Sequence, residues 1–129
     1  MKSYTNIEQS KKLAKILPID TADCCYIMYC TSDNPEWRYE GQPPMFLGDI
    51  PITEIEAEHI PCWSLTTLFN VMPKTLEYGR PILGTNYEGF YFVQYRDASM
   101  DYVNGTSCYN NPIDACYEMI MFLHKENLI

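Results

Sequence analysis

The chain reads as an α+β domain in which three helices pack on one face of a small, mainly antiparallel β-sheet, with a long irregular acidic loop between the first strand and the second helix. Three observations predict this. Apolar residues recur at helical spacing near both ends and in the middle, aromatic and β-branched residues alternate between 78 and 96, and five prolines crowd residues 31–61. With 129 residues, 47% of them hydrophobic and 20% charged, the chain fits a single domain over 1–129 that is folded rather than disordered.

The first helix is expected over 5–17. Thr5 and Glu8 have the spacing of a capping box. Ile7, Leu13, Ala14 and Leu17 form the apolar stripe, and Pro18 stops the helix because it lacks an N–H donor. Cys24–Cys30 is a short apolar run rich in β-formers, read as a buried strand. Residues 31–60 then hold Pro35, Pro43, Pro44 and Pro51 with Gly41 and Gly48, a density of turn residues and acids that predicts a long, mostly irregular excursion over the surface. Loops this long are usually functional or partly disordered.

A second helix is expected over Cys62–Met72, where Leu65, Leu68, Phe69 and Met72 recur at three and four residues and Pro73 follows. Tyr78–Gly84 and Phe90–Arg96, joined by a turn through Thr85–Gly89, read as a hairpin whose second strand is buried on both sides. Asn104-Gly105 signals a tight turn. The last helix has Asn111 as N-cap, Pro112 in its first turn and Asp114 near its positive end, with Ile113, Cys116, Tyr117, Ile120 and Leu123 on the buried stripe.

Charge and cysteine usage narrow the function. The net charge is −8, and it is uneven: residues 1–17 carry +3, while residues 18–58 carry nine acids against Arg38 alone. Phosphate binding needs a basic surface, so direct nucleic-acid binding is not expected. No run of about 18 apolar residues is present, and residues 1–6 lack the apolar core of a signal peptide. The expectation is therefore a cytoplasmic protein without a membrane role. Its six cysteines, at 24, 25, 30, 62, 108 and 116, are then reduced structural thiols.

The sharpest enzymatic hint is Pro61-Cys62-Trp63-Ser64. A cysteine followed by tryptophan at a helix start, where the dipole lowers the thiol pKa, is how papain-type proteases place their nucleophile. Its base would have to be His59 or His124, and the flanking glycines of that signature are missing; a packed thiol with Trp63 as a core anchor is the plainer reading. His59 and Cys62 also have the spacing of a two-ligand zinc hook that Cys24, Cys25, Cys30 or Cys108 could complete, but no CxxC pair supports it. Glu54, Glu56 and Glu58 alternate, which suits a solvated strand edge better than a hard-cation site. Asn104-Gly105-Thr106 matches a glycosylation triplet but reads as a turn. No Walker loop, GxGxxG or GxSxG occurs, and no cofactor is expected.

The binding hypothesis rests on Glu36-Trp37-Arg38-Tyr39-Glu40 in the acidic loop, because Trp, Arg and Tyr dominate interface hot spots. Against it stands the chance that Trp37 folds inward and plugs the core. A second possibility uses the carboxylates between Asp33 and Glu58 to mimic DNA and inhibit a nucleic-acid enzyme. A cysteine hydrolase at Cys62 is the third.

Four stretches resemble a known family. They are Asn6-Ile7-Glu8-Gln9-Ser10-Lys11-Lys12-Leu13-Ala14, Ala22-Asp23, Pro61-Cys62-Trp63-Ser64-Leu65, and Asp114–Ile120 with Leu123-His124. Together they are similar to a family of small uncharacterised proteins encoded by gut bacteria of the Bacteroides group and by their phages and prophages. The resemblance implies a phage or mobile-element setting and carries no catalytic or binding residue with it. The expected function is an accessory protein that binds another protein, of host or phage, through Trp37, Arg38 and Tyr39.

Overall fold

A computed structural model describes residues 2–30, 32–33, 35–49, 58–74, 79–97 and 102–129. The architecture is α+β, with helices α1 (Ile7–Leu13), α2 (Leu65–Val71) and α3 (Pro112–Lys125). The strands are β1 (Cys24–Met28), β2 (Met45–Phe46), β3 (Glu58–Cys62), β4 (Arg80–Thr85), β5 (Tyr91–Arg96) and β6 (Tyr102–Gly105). They form not one sheet but two antiparallel three-stranded sheets, ordered β2-β1-β3 and β4-β5-β6. The chain groups into two compact units, residues 6–64 and residues 1–5 with 65–129. Among the described residues no helix is long and apolar enough to cross a membrane.

In the unit of residues 6–64, the N-cap of α1 falls one residue later than expected. Asn6, with extended backbone, accepts the Gln9 N–H at 2.8 Å, and the Gln9 side chain accepts the Asn6 N–H at 3.1 Å. The capping box is thus Asn6/Gln9 and not Thr5/Glu8; Thr5 is fully buried instead. Regular helix ends at Leu13, and a looser turn continues to Leu17, whose N–H reaches the Leu13 carbonyl at 2.8 Å. Leu13 and Leu17 are buried, as is most of the central strand β1.

Within the expected loop, the described part contributes β2, a 3-10 turn at Leu47–Asp49 and the start of β3, and residues 50–57 lie outside the described residues. The expected start of the second helix is corrected: Pro61 and Cys62 belong to β3, opposite Cys25 and Cys24, and helix starts only at Leu65. Pro61 fits there because its missing N–H falls on the outer edge of the sheet. Leu47 N–H bonds Asp23 O on the β2 side, so Cys25, next but one, also bonds that side and its partner Pro61 points outward.

In the other unit, β4 and β5 form the expected hairpin. Its turn is closed by Asn86 Oδ1, which accepts from Glu88 N–H at 2.9 Å and Phe90 N–H at 3.0 Å. β5 is buried on one face only, at Val93 and Tyr95, while Phe92 is half-buried with its ring over Gly84 of the neighbouring strand. Asn104-Gly105 makes no tight turn. Both residues lie in β6 opposite Tyr95 and Gln94, and a bulge at Tyr95/Arg96 absorbs the mismatch. α3 matches its expected signals: Asn111 Oδ1 accepts from Asp114 N–H at 2.9 Å, and all five residues of the expected stripe are buried. Lys2 pairs with Asp114 at 2.8 Å.

Candidate functional site

The segment that follows β1 returns along the edge of that strand. Tyr29 and Arg38 exchange both backbone hydrogen bonds, at 2.8 and 2.9 Å, and further along Leu47 N–H bonds Asp23 O at 3.2 Å. Asp23 and Tyr29 are an even number of residues apart, so both bonds leave the same side of the strand. Between them the segment bulges outward through Gly41, whose φ of +89° lies in the left-handed region that glycine adopts without strain.

This return path positions the expected binding residues. Trp37 is 41% exposed and Tyr39 38%, so Trp37 does not plug the core; that position is taken by Trp63, which is fully buried. The Tyr39 ring meets buried Tyr26 edge-to-face, with centroids 5.4 Å apart and planes at 85°, and its hydroxyl donates to the Gln42 carbonyl at 2.5 Å. Such an aromatic pair contributes about 0.5–1.5 kcal/mol beyond its buried area. Arg38 Nη2 lies 3.1 Å from Glu40 Oε1, an exposed pair of small energetic weight, while buried Arg38 Nη1 has no partner among the described residues. Glu36 is exposed. The same segment carries two exposed apolar residues that the sequence reading missed, Phe46 and Leu47. Their signal was the apolar triplet Met45-Phe46-Leu47 directly after Pro43-Pro44.

Cys62 has the geometry of a structural thiol. It closes a strand, is 0% exposed and lies opposite Cys24, whose Sγ is 3.6 Å from the Cys62 carbonyl oxygen. The hydrogen bond with the Cys24 thiol, then burial, then the neighbouring Cys24, Cys25 and Asp23 charges, push the Cys62 thiol far up. Cys62 also lies on a strand, three residues before α2 begins, and so is not placed at a helix start. His59 and Cys62 sit three apart on one strand, so their side chains leave opposite faces, which also dismantles the zinc hook and the His59 base. Among the described residues no three metal-ligating side chains come together. His124 is exposed in the last turn of α3. Glu54 and Glu56 lie outside the described residues, as does the Glu58 side chain.

The residues around Cys62 act as a clasp. Asp23 accepts Ser64 N–H at 2.9 Å and Ser64 O–H at 2.6 Å, and Trp63 Nε1 donates to Thr21 Oγ1 at 2.9 Å. They tie the end of β3 to the approach to β1, which accounts for Cys-Trp-Ser without catalysis. No protein-family model matches the chain, and no curated protein or solved structure is significantly similar to it.

Proposed function

We propose that this chain is a non-enzymatic protein-binding module, an accessory protein of a phage or mobile element that engages a host or phage protein through Trp37, Arg38 and Tyr39. One observation carries the reading: two large aromatic side chains stay exposed while the backbone between them is held to β1 by the paired Tyr29–Arg38 bonds. An aromatic side chain presented from a fixed backbone loses little conformational freedom on binding, which is the condition for a strong contact. Glu36 and Glu40 supply the polar rim around it, and Arg38 offers a guanidinium to a partner carboxylate.

Affinity capture from bacterial lysate tests this with three baits: wild type, Trp37→Ala plus Tyr39→Ala, and Tyr87→Ala as a control at a fully exposed aromatic elsewhere. At least one partner should be retained by wild type and Tyr87→Ala and reduced ten-fold or more on the double variant, since hot-spot truncations of about 2 kcal/mol each are common. Far-UV circular dichroism checks that the double variant is folded. Equal recovery of every partner on all three baits refutes the proposal.

A further inference from the structure

We propose that Cys24 and Cys62 form a redox pair, which a peroxide oxidises to a disulfide bridging β1 and β3 and a dithiol reduces again. Both are free thiols, Cys24 2% exposed and Cys62 0%. They face each other as register partners, at the first position of β1 and the last of β3. The inference needs no partner protein and does not depend on Trp37 or Tyr39.

The hydrogen-bond register sets their spacing. Asp23 and Tyr29 bond toward the returning segment, so the even-numbered residues of β1 bond toward β3. Cys24 and Cys62 are therefore a hydrogen-bonded pair, with Cα atoms about 5.5 Å apart. A disulfide spans Cα separations of about 4.4–6.8 Å, so the backbone already stands at bridging distance. Directly opposed side chains leave the same face of a sheet. The two thiols are in hydrogen-bond contact, and Cys24 Sγ lies 3.6 Å from the Cys62 carbonyl oxygen. Opposed Cβ atoms stand about 4.5–5.5 Å apart and those of a disulfide about 3.5–4.5 Å, so bridging needs an approach of about 1 Å. Cys25 is excluded, because it lies opposite Pro61 and leaves the other face of β1. Among the described residues no other two cysteines face each other across strands.

The chemistry balances with a peroxide as the only co-reactant. One thiolate attacks a peroxide oxygen, breaking the O–O bond, to give a sulfenic acid and hydroxide. The second thiolate attacks that sulfur, forms the S–S bond and expels a second hydroxide. The two thiol protons convert both hydroxides to water. A dithiol reverses the step by thiol–disulfide exchange and carries the disulfide away on itself. Closed strands hold Cys62 protonated, through the Cys24 hydrogen bond and burial, so oxidation is slow and waits for the strand ends to open locally. The clasp guides reclosure: Asp23 beside Cys24 holds Ser64, and Thr21 holds Trp63 beside Cys62. The bridge then closes a ring that contains the whole returning segment, which restricts the unfolded chain and stabilises the fold.

The test treats the folded full chain with hydrogen peroxide at neutral pH, then unfolds it in urea with an alkylating reagent and maps its peptides by mass spectrometry. Cys24 and Cys62 should escape alkylation together, appear in one disulfide-linked peptide pair, and become alkylable again after dithiothreitol. The linkage should form in Cys25→Ala and be absent from Cys24→Ala and Cys62→Ala. Oxidised protein should melt roughly 10 °C or more above the reduced form. Peroxide applied in urea should instead scatter linkages among the cysteines, because no register then guides them. Four results overturn the proposal: no Cys24–Cys62 linkage in the wild type, Cys62 joined to another cysteine instead, the same linkage pattern from folded and urea-unfolded protein, or a lower melting temperature on oxidation. The wild-type map decides even where a cysteine variant fails to fold.

Discussion

Raising the pH should destabilise this protein through its cysteines, and by an amount that can be worked out. Cys62 and Cys116 are both 0% exposed. Burial pushes the Cys116 thiol up to about 12 from an ordinary value of 9.0, with Lys74 pulling weakly the other way. The Cys24 hydrogen bond and burial push Cys62 up further, and burial raises Cys25 as well. Unfolded, each thiol ionises near pH 9, so the unfolded chain binds fewer protons than the folded one above that pH. The stability due to these protons is therefore fully present below pH 9 and is lost as pH climbs toward the folded values. At pH 10 each thiol held protonated costs about 1.4 kcal/mol, so Cys62 and Cys116 together remove about 3 kcal/mol. That is a large share of a typical total of about 5–15 kcal/mol. Urea denaturation at intervals from pH 7.5 to 10.5, under reducing conditions, measures it, and Cys116→Ala should flatten the slope by about half. A thiol reagent at neutral pH should label exposed Cys108 first, and Cys62 only on unfolding. A midpoint that stays level from pH 8 to 10.5 would refute the reasoning, and so would rapid labelling of Cys62.

Two further predictions concern backbone and salt. Gly79→Ala should destabilise by at least about 3 kcal/mol by urea denaturation, because a Cβ there would stand 2.0 Å from the Arg96 carbonyl oxygen on top of a φ of +117°. Gly89→Ala, with φ +84° but open space, should lose only about 1–2 kcal/mol. Partner binding through Trp37 and Tyr39 should weaken less than about five-fold between 0.1 and 1 M salt, where the screening length falls from about 10 to 3 Å. A drop of several hundred-fold in a titration series would instead favour the acidic, DNA-like reading.

What the sequence made legible follows how local each cause is. α3 could be read directly because Asn111, Pro112, Asp114 and the Ile113–Leu123 stripe all argue for the same boundaries. The N-cap of α1 was displaced by one residue because Thr5/Glu8 and Asn6/Gln9 are overlapping capping boxes, and burial of Thr5 decides between them. Cys62 looked like a helix start because Pro61 and the following helical spacing are nearby, whereas its strand partner Cys24 lies 38 residues away. Asn104-Gly105 is a turn signal only where no strand waits beside it, and β5 was waiting. Of the binding candidates, residue type was readable at Trp37, Arg38 and Tyr39. Their exposure was not, since it depends on where the chain after Tyr29 returns along β1.

Along β1 the outward-bonding residues Asp23, Cys25 and Tyr29 are met by the returning segment at Leu47, Met45 and Arg38. On the proposed function, that cover leaves contact with a partner to the segment's side chains and not to the strand's own backbone. Side-chain recognition from a fixed segment is selective for one surface. The aromatic segment should therefore define the principal partner, and substitutions that keep Trp37 and Tyr39 while changing Glu36 should leave that partner's identity unchanged in the capture experiment.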